Sequence, residues 1–270
     1  MHTLTDEQWA QYKRDGYLNL GLLLEGDALT RMQTRLDDIM MGKADVDYDR
    51  MLMQLDFAAT DYAKLGEQTQ GFKGATLNYR KIEALEFDPL FLEYMQWPLF
   101  HNICERTYGT GAVVSCYRAM FMNKPAGRGS VLPWHQDRWA HLDRDPQVTV
   151  WTAVDPATME NGCMKIIPGS HKELLNPDHP AGFLSDEIVE TRVNEEDGIF
   201  LELKAGEVAL LHNWLLHSSD VNHSDRSRRA FSVCYMDGSS LTTDGQPAGY
   251  STIFGAGALT TNDLKAARAG

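Results

Sequence analysis

The sequence lacks several features that would assign it to particular classes of protein. No run approaches the roughly 20 apolar residues that cross a bilayer, and no basic start followed by an apolar stretch marks a secretory signal. Cysteine is scarce: Cys104, Cys116, Cys163 and Cys234 form no CxxC pair, which argues against a cysteine-rich zinc site. We therefore expect a cytoplasmic protein with reduced thiols and no membrane partner.

Positive charge is also scarce. The formal net charge is −13 at pH 7, and an acidic chain repels the phosphate backbone of nucleic acids. One basic cluster, Arg226, Arg228 and Arg229, is too small for a nucleic-acid footprint but large enough to hold one small anion. We expect a small-molecule substrate and no nucleic-acid partner, and the sequence does not indicate the oligomeric state.

Helical patterns occupy the first part of the chain. A capping box at Thr5 predicts a helix that ends near Gly16. An amphipathic run predicts a second helix over 27–41, and a third is predicted over 89–108 with a proline inside it. Residues 43–78 show no sustained periodicity, so we predict loop and short helix there, acting as a lid over the substrate.

The pattern changes at residue 112 to short β-rich runs separated by turn residues. Several such runs predict an all-β sandwich or barrel. The runs are 112–123, 148–154, 163–167, 199–203, 207–212 and 229–236. We expect one domain over 1–270, with a helical and loop flank at 1–111, a β core at 112–240 and a frayed tail at 258–270.

A metal site is suggested by the tripeptide His135-Gln136-Asp137. In an extended segment alternate side chains share a face, so His135 and Asp137 converge while Gln136 turns away. One imidazole and one carboxylate are two of the three ligands in the 2-His-1-carboxylate triad of non-haem iron(II). The third ligand must come from elsewhere, and His217 is the best candidate. His212 lies five residues earlier on the opposite face, so we expect a hydrogen-bonded core histidine there.

An HxD tripeptide alone occurs by chance, and the residues after His217 strengthen it. Ser219 and Arg228 lie two and eleven residues downstream. A chain that turns and returns as a strand could bring Arg228 beside the metal, where its planar fork would bind a carboxylate through two charge-assisted hydrogen bonds. A 2-oxo acid chelates iron at one end and presents such a carboxylate at the other. Of the neighbouring arginines, we place Arg226 in a loop and expect Arg229 to be solvated or salt-bridged.

The order of these motifs resembles that of the phytanoyl-CoA dioxygenase-like (PhyH) family of 2-oxoglutarate oxygenases. The resemblance runs from about residue 77 to 237. It is carried by MFMNKP at 120–125, HQD at 135–137, WTAV at 151–154, NGCMKIIPGSH at 161–171, GE at 206–207, HSS at 217–219 and Arg228. It implies a double-stranded β-helix (jelly-roll) core over 112–240 with helices around it. It also implies a hydroxylase that requires iron(II), 2-oxoglutarate and dioxygen.

The resemblance further implies roles for individual residues. The iron ligands would be His135, Asp137 and His217, the distal carboxylate of 2-oxoglutarate would be held by Arg228 and Ser219, and the cosubstrate would be flanked by Met120 and Trp151. A further basic residue upstream, Arg80 or Lys81, matches a position that often contributes. Retention of Asp137 favours hydroxylation, because halogenating relatives have a small residue there. Trp139 shares the strand parity of Asp137 and is a candidate for lining the substrate pocket.

The substrate class follows less directly. Coenzyme A carries phosphates that require several Lys or Arg residues at the pocket mouth, and no such cluster is visible. We therefore expect a small polar metabolite, with acyl-CoA hydroxylation as an alternative. A non-redox jelly-roll metal protein, either an isomerase or a binding module, is a second alternative. It predicts the same triad but has no need for Arg228.

Overall fold

The computed structural model describes residues 3–56 and 66–264, which form two antiparallel sheets with helices against the larger one. The helices are Asp6–Asp15 (α1), Gly26–Met40 (α2), Pro89–Met95 (α3), Pro98–Tyr108 (α4) and Asp186–Arg192 (α5). The strands are Tyr17–Leu22 (β1), Leu52–Leu55 (β2), Thr69–Gln70 (β3), Tyr79–Ile82 (β4), Val114–Lys124 (β5), Leu132–His135 (β6), Val148–Ala153 (β7), Met164–Ile166 (β8), Ile199–Leu201 (β9), Glu207–Leu211 (β10), His217–Ser219 (β11), Arg228–Asp237 (β12) and Thr252–Phe254 (β13).

The two sheets form a jelly roll, which confirms the predicted fold class. In the described residues the larger sheet has the order β1-β10-β7-β12-β5-β4-β2-β3, and β13 also pairs with β5. The smaller sheet has the order β6-β11-β8-β9. Every strand pairing among these residues is antiparallel, and several pairs join strands that are distant in sequence.

Alternation along the central strands of the larger sheet separates two apolar layers. On β12, Phe231 and Val233 join a core with buried residues of α2, α3 and α4, whereas Ala230 joins the layer between the sheets. On β7, Val150 faces the helices and Trp151 faces the smaller sheet. Burying one such large apolar side chain stabilises the fold by ~1.5–3 kcal/mol. The helices therefore hold the larger sheet in place by packing on its outer face, and its inner face is left to form the site.

The predicted helices are confirmed with small changes at their ends. Thr5 and Gln8 form the capping box of α1, and Gly16 ends the helix with a φ of 76°. The predicted interruption of the third helix is also confirmed, because the chain breaks into α3 and α4. Pro98 begins α4, since a proline lacks the N–H that an interior helical position would donate but fits the first turn.

The flank before residue 112 also contains strands that the sequence did not predict. β1 extends one edge of the larger sheet beside β10, and β4, β2 and β3 extend the other beside β5. The prediction of a frayed tail over 258–270 is wrong for its first part, because Leu264 is buried in the core between the helices and the larger sheet. Residues 265–270 lie outside the described residues. Within the described parts of the chain, no helix is both long and apolar enough to span a membrane.

Candidate metal centre and cosubstrate site

Two histidines face each other across the smaller sheet. His135 ends β6, His217 begins β11, and the register pairs them directly. Directly paired residues of antiparallel strands place their Cβ atoms about 4.5–5.5 Å apart, and these two ring centroids are 4.0 Å apart. The pairing of β6 with β11, two strands far apart in sequence, therefore places His217 beside the HxD tripeptide.

The hydrogen bonds of the two imidazoles fix which nitrogen is available. His135 Nδ1 lies 2.8 Å from the Pro133 carbonyl oxygen, and His217 Nδ1 lies 2.8 Å from that of Leu215. A carbonyl oxygen only accepts, so each Nδ1 carries the hydrogen and each Nε2 keeps its lone pair. Burial, with a further contribution from His217, lowers the pKa of His135 to about 3, which keeps its ring neutral as a ligand requires.

Asp137 completes the group. Its Oδ1 lies 3.9 Å from His135 Nε2, and one ligand atom from each of Asp137, His135 and His217 falls within 4.8 Å of the others. Burial disfavours the carboxylate anion, but His217, Arg118 and His135 outweigh burial and hold the pKa of Asp137 below its usual value. Two imidazole Nε2 atoms and one carboxylate form a donor set that suits iron(II).

Gln136, the middle residue of the tripeptide, points away from this group and is fully buried. Its side-chain amide donates to the carbonyl oxygens of Glu173 and Trp214, each at 2.7 Å, and its Oε1 accepts from Leu175 N at 2.7 Å. These bonds anchor residues 173–184, which we call the cover loop. Phe183 of that loop stacks on His135 with 4.8 Å between ring centroids. The glutamine is therefore a clamp that holds an aromatic cover against one of the candidate ligands.

We expect Gln136→Ala to lower the free energy of unfolding by about 2–4 kcal/mol, because it leaves buried backbone groups without partners. The measurement is denaturant unfolding of the metal-free protein, with protease cleavage within 173–184 as a second readout. Gln70→Ala, on an exposed edge strand, is the matched control and should change neither. Unaltered stability and unaltered cleavage of Gln136→Ala would show that the clamp does not hold the cover loop.

A cavity of about 260 Å³ lies between the inner faces of the two sheets. Eight of the side chains that the sequence analysis named for the site line it: His135, Asp137, His217, Arg228, Ser219, Met120, Trp151 and Trp139. A second space of about 50 Å³ continues from it and shares Arg228 and Ser219. The structure thus brings the proposed metal and cosubstrate residues around one cavity.

Arg228 is a buried cation at the start of β12. Its Nη2 donates to the Gly162 carbonyl oxygen at 3.2 Å, and its guanidinium lies 5.7 Å from the centre of the Trp151 ring. No carboxylate within the described ranges pairs with it, and its Nε and the indole N–H of Trp151 are buried without a hydrogen-bond partner there. Burial lowers the pKa of Arg228 to about 10. Two buried donors that lack acceptors fit an oxygen-rich anion such as the distal carboxylate of 2-oxoglutarate.

Further basic residues surround Arg228. Lys81 lines both the main cavity and its 50 Å³ continuation, whereas Arg80 lines the continuation alone. Of the two upstream candidates, Lys81 is therefore the one that faces the metal group. Burial, with Arg80 and Arg118 nearby, lowers its pKa to about 7. Burial and the neighbouring Arg228 lower the pKa of Lys124 to about 6. With Arg228, these basic residues make this end of the cavity a candidate anion site inside an acidic protein.

Other sequence predictions lie elsewhere. His212 Nδ1 accepts from Trp214 N at 3.1 Å, and His212 lies outside the cavity lining. The expected hydrogen bond is present, but His212 is half-buried and not part of the core. Arg229 is salt-bridged, with 2.7 Å between its Nε and Asp155 Oδ2. In the described parts of 43–78 no residue lines the cavity, and residues 57–65 lie outside the described chain, so the predicted lid stays a prediction.

Phe183 and Arg118 are among the cavity residues that the sequence analysis did not name. Phe183 comes from a loop without periodicity, so nothing in the sequence could place it over His135. Arg118 lies on β5 two residues before Met120, and both side chains line the cavity. Strand parity with Met120 was the available indication, because alternate residues of a strand share a face.

Comparison with known proteins identifies the family. The family model for phytanoyl-CoA dioxygenase (PhyH) matches residues 12–230. A probable phytanoyl-CoA dioxygenase of Caenorhabditis elegans is 26% identical over 245 residues, covering 87% of this chain and 76% of the relative. A phytanoyl-CoA dioxygenase domain-containing protein 1 homolog of Dictyostelium discoideum is 27% identical over 261 residues, covering 87% and 92%.

Solved structures share the fold at low sequence identity. The apoform of EctD from S. alaskensis superposes with a TM-score of 0.69 at 18% identity, covering 91% of this chain and 81% of that one. The non-heme alpha ketoglutarate dependent carbocyclase SnoK from nogalamycin biosynthesis gives 0.66 at 19% identity, covering 91% and 89%. With the family model matching most of the chain, the protein belongs to the phytanoyl-CoA dioxygenase family of Fe(II)/2-oxoglutarate-dependent oxygenases.

Proposed function

We propose that this oxygenase hydroxylates a small, polar organic metabolite while 2-oxoglutarate is decarboxylated to succinate. In this proposal His135, Asp137 and His217 hold iron(II), and Arg228 with Ser219 binds the distal carboxylate of 2-oxoglutarate. Met120 and Trp151 flank the cosubstrate, and Trp139 lines the substrate space. One observation carries the proposal: the buried guanidinium of Arg228 has no carboxylate partner among the described residues, and it lines the same cavity as the three candidate metal ligands.

The metal and the protein would have different roles in the reaction. Iron(II), when bound, supplies the activation of dioxygen that allows an unreactive C–H bond to be oxidised. The protein orients the reactants and excludes bulk water. Phe183 covers His135, and the tautomers of His135 and His217 are fixed by the backbone carbonyls that their Nδ1 atoms contact.

Size favours a small substrate. Ligand pockets usually enclose ~300–1,000 Å³, and this cavity of about 260 Å³ must also hold 2-oxoglutarate. Only a small molecule, or the reacting end of a larger one, fits beside the cosubstrate. The four free, buried cysteines support the proposal of a reducing, cytoplasmic location.

Arg228 also discriminates between function classes. A non-redox metal isomerase or a metal-binding module needs the triad but no buried cation at the end of the cavity. Burying a guanidinium without a counter-ion destabilises the fold, and a role in binding an acid cosubstrate accounts for its presence. The geometry therefore favours the oxygenase over either alternative.

The test is a metabolite screen with iron(II), 2-oxoglutarate and dioxygen. We expect one substrate class to raise succinate release about tenfold or more above the substrate-free rate, because substrate binding couples cosubstrate oxidation to productive turnover. The product should contain one additional oxygen atom by mass spectrometry. Protein that binds iron(II) but has no measurable affinity for 2-oxoglutarate would contradict the proposal and favour a non-redox metal protein.

A further inference from the structure

Arg118 is a partly buried cation in the cavity, and neither the metal nor the cosubstrate gives it a role. Arg118 lies on β5 and lines the cavity together with Met120 and Met122, which share its strand face. Its side chain retains 20% exposure. It is therefore a cation that projects into the reaction space and not a surface charge.

Arg118 and Arg228 occupy opposite ends of the cavity. In the β5–β12 register, Arg118 pairs with Cys234, six residues beyond Arg228 on β12. At ~3.3 Å per residue the two positions are about 20 Å apart along the strand. Because the cosubstrate's distal carboxylate is assigned to the Arg228 end, Arg118 faces the remaining part of the cavity, where the substrate must lie.

The contacts of Arg118 leave its hydrogen-bonding edge available. Its Nη2 is 4.0 Å from Asp137 Oδ1, too long for a hydrogen bond, and no hydrogen bond from its guanidinium to any described residue is present. The guanidinium carbon lies 5.5 Å from the centre of the Trp139 ring. Trp139 itself packs on Tyr117 with 4.0 Å between ring centroids. An indole held in this way supports the guanidinium and offers an apolar wall beside it.

The balance of charges in the cavity indicates the charge of the substrate that this end would bind. Among the charged groups that line or would occupy the cavity, iron(II), Arg118 and Arg228 would bring four positive charges, and Asp137 with the 2-oxoglutarate dianion would bring three negative charges. Lys81 adds to the positive side when it is protonated. A positive excess in a cavity between two sheets is reduced by a bound anion and increased by a bound cation.

We propose that Arg118 binds a carboxylate of the substrate and that Trp139 packs against the adjoining apolar part, which makes the substrate class a small organic acid. This inference rests on the proposed function, because it takes the Arg228 end as the cosubstrate site. It refines the expected polar metabolite to an anionic one, despite the acidic character of the whole chain. A carboxylate matches the planar fork of an arginine with two parallel hydrogen bonds.

The test measures binding of matched acid and amide pairs by calorimetry, without dioxygen. The probes are benzoate, phenylacetate, 3-phenylpropanoate and hexanoate, each compared with its primary amide. The protein is loaded with iron(II) and 2-oxoglutarate, and the affinity for 2-oxoglutarate is measured first. We expect at least one acid to bind about tenfold or more tightly than its amide. Arg118→Gln should reduce that ratio to about threefold or less, and Arg118→Lys should retain part of it, because the charge remains.

The control is Arg226→Gln, which removes the same charge from an exposed loop and should keep the wild-type acid preference. If Arg118 only positioned Asp137, Arg118→Gln would weaken iron(II) binding and affect acid and amide equally, which would overturn the inference. Failure of every acid to bind better than its amide would overturn it too. Failure of the wild-type protein to bind 2-oxoglutarate would instead contradict the proposed function, so the two failures are distinguishable.

Discussion

His217→Ala is expected to abolish stoichiometric iron(II) binding and substrate-stimulated succinate release, whereas His212→Ala keeps both. The two histidines lie five residues apart, yet only His217 shares the metal group with His135 and Asp137. Loss of an outer partner of a ligand already costs ~10–100-fold in metal affinity, and loss of one of three ligands should cost at least ~100-fold. The same loss is expected for His135→Ala.

The measurements are metal content after reconstitution without dioxygen, and succinate release with and without substrate. His212→Ala is the matched control because it removes an imidazole from the same segment, one that accepts from Trp214 N and packs beside His171. Its cost should appear as a lower melting temperature and not as lost iron. Equal metal content in His217→Ala and His212→Ala would refute the assignment of the third ligand.

The sequence could predict one pair of the candidate triad, because strand alternation is a local rule. Strand alternation put His135 and Asp137 on one face, and the structure agrees, with Gln136 turned into the protein. The position of His217 opposite His135 depends on the register of β6 against β11, which periodicity does not encode. That choice rested on the residues downstream of His217 and on the family resemblance. The position of Arg228 likewise depends on β12 returning beside β5.

What the sequence could not predict depends on tertiary contacts. β3 is two residues long and β4 is four, too short for an alternating pattern to stand out from loop. The cover loop owes its position to the clamp of Gln136 and to Gly182, where a Cβ would lie 1.9 Å from the Gln136 carbonyl oxygen. Such contacts arise only after distant segments meet. A lid was predicted at 43–78, whereas the described residues that cover His135 belong to 173–184.

Arg228→Met is expected to weaken 2-oxoglutarate binding by ~30–150-fold without destabilising the cosubstrate-free protein. A hydrogen-bonded charge pair of this kind contributes ~2–3 kcal/mol, which gives the expected change in affinity. The stability of the protein without 2-oxoglutarate is not expected to fall. Without its anion, Arg228 is a buried cation with an unpaired Nε, and the pKa lowered by burial reports that the fold disfavours its charge. Methionine fills similar space without a charge, so the unliganded variant should melt no earlier than the wild type.

Arg229→Met, one residue along the same strand, should show the reverse pattern. Arg229 faces the helices, where it is ion-paired to Asp155 and Asp37, so its removal leaves two carboxylates without their cation. We expect a lower melting temperature and an unchanged dissociation constant for 2-oxoglutarate. Calorimetry and thermal unfolding with and without 2-oxoglutarate measure both effects. If Arg228→Met destabilised the unliganded protein as Arg229→Met does while retaining cosubstrate affinity, Arg228 would be a structural residue. The opposite signs at adjacent positions follow from one cause: strand alternation gives Arg229 carboxylate partners within the protein and leaves Arg228 to obtain one from a ligand.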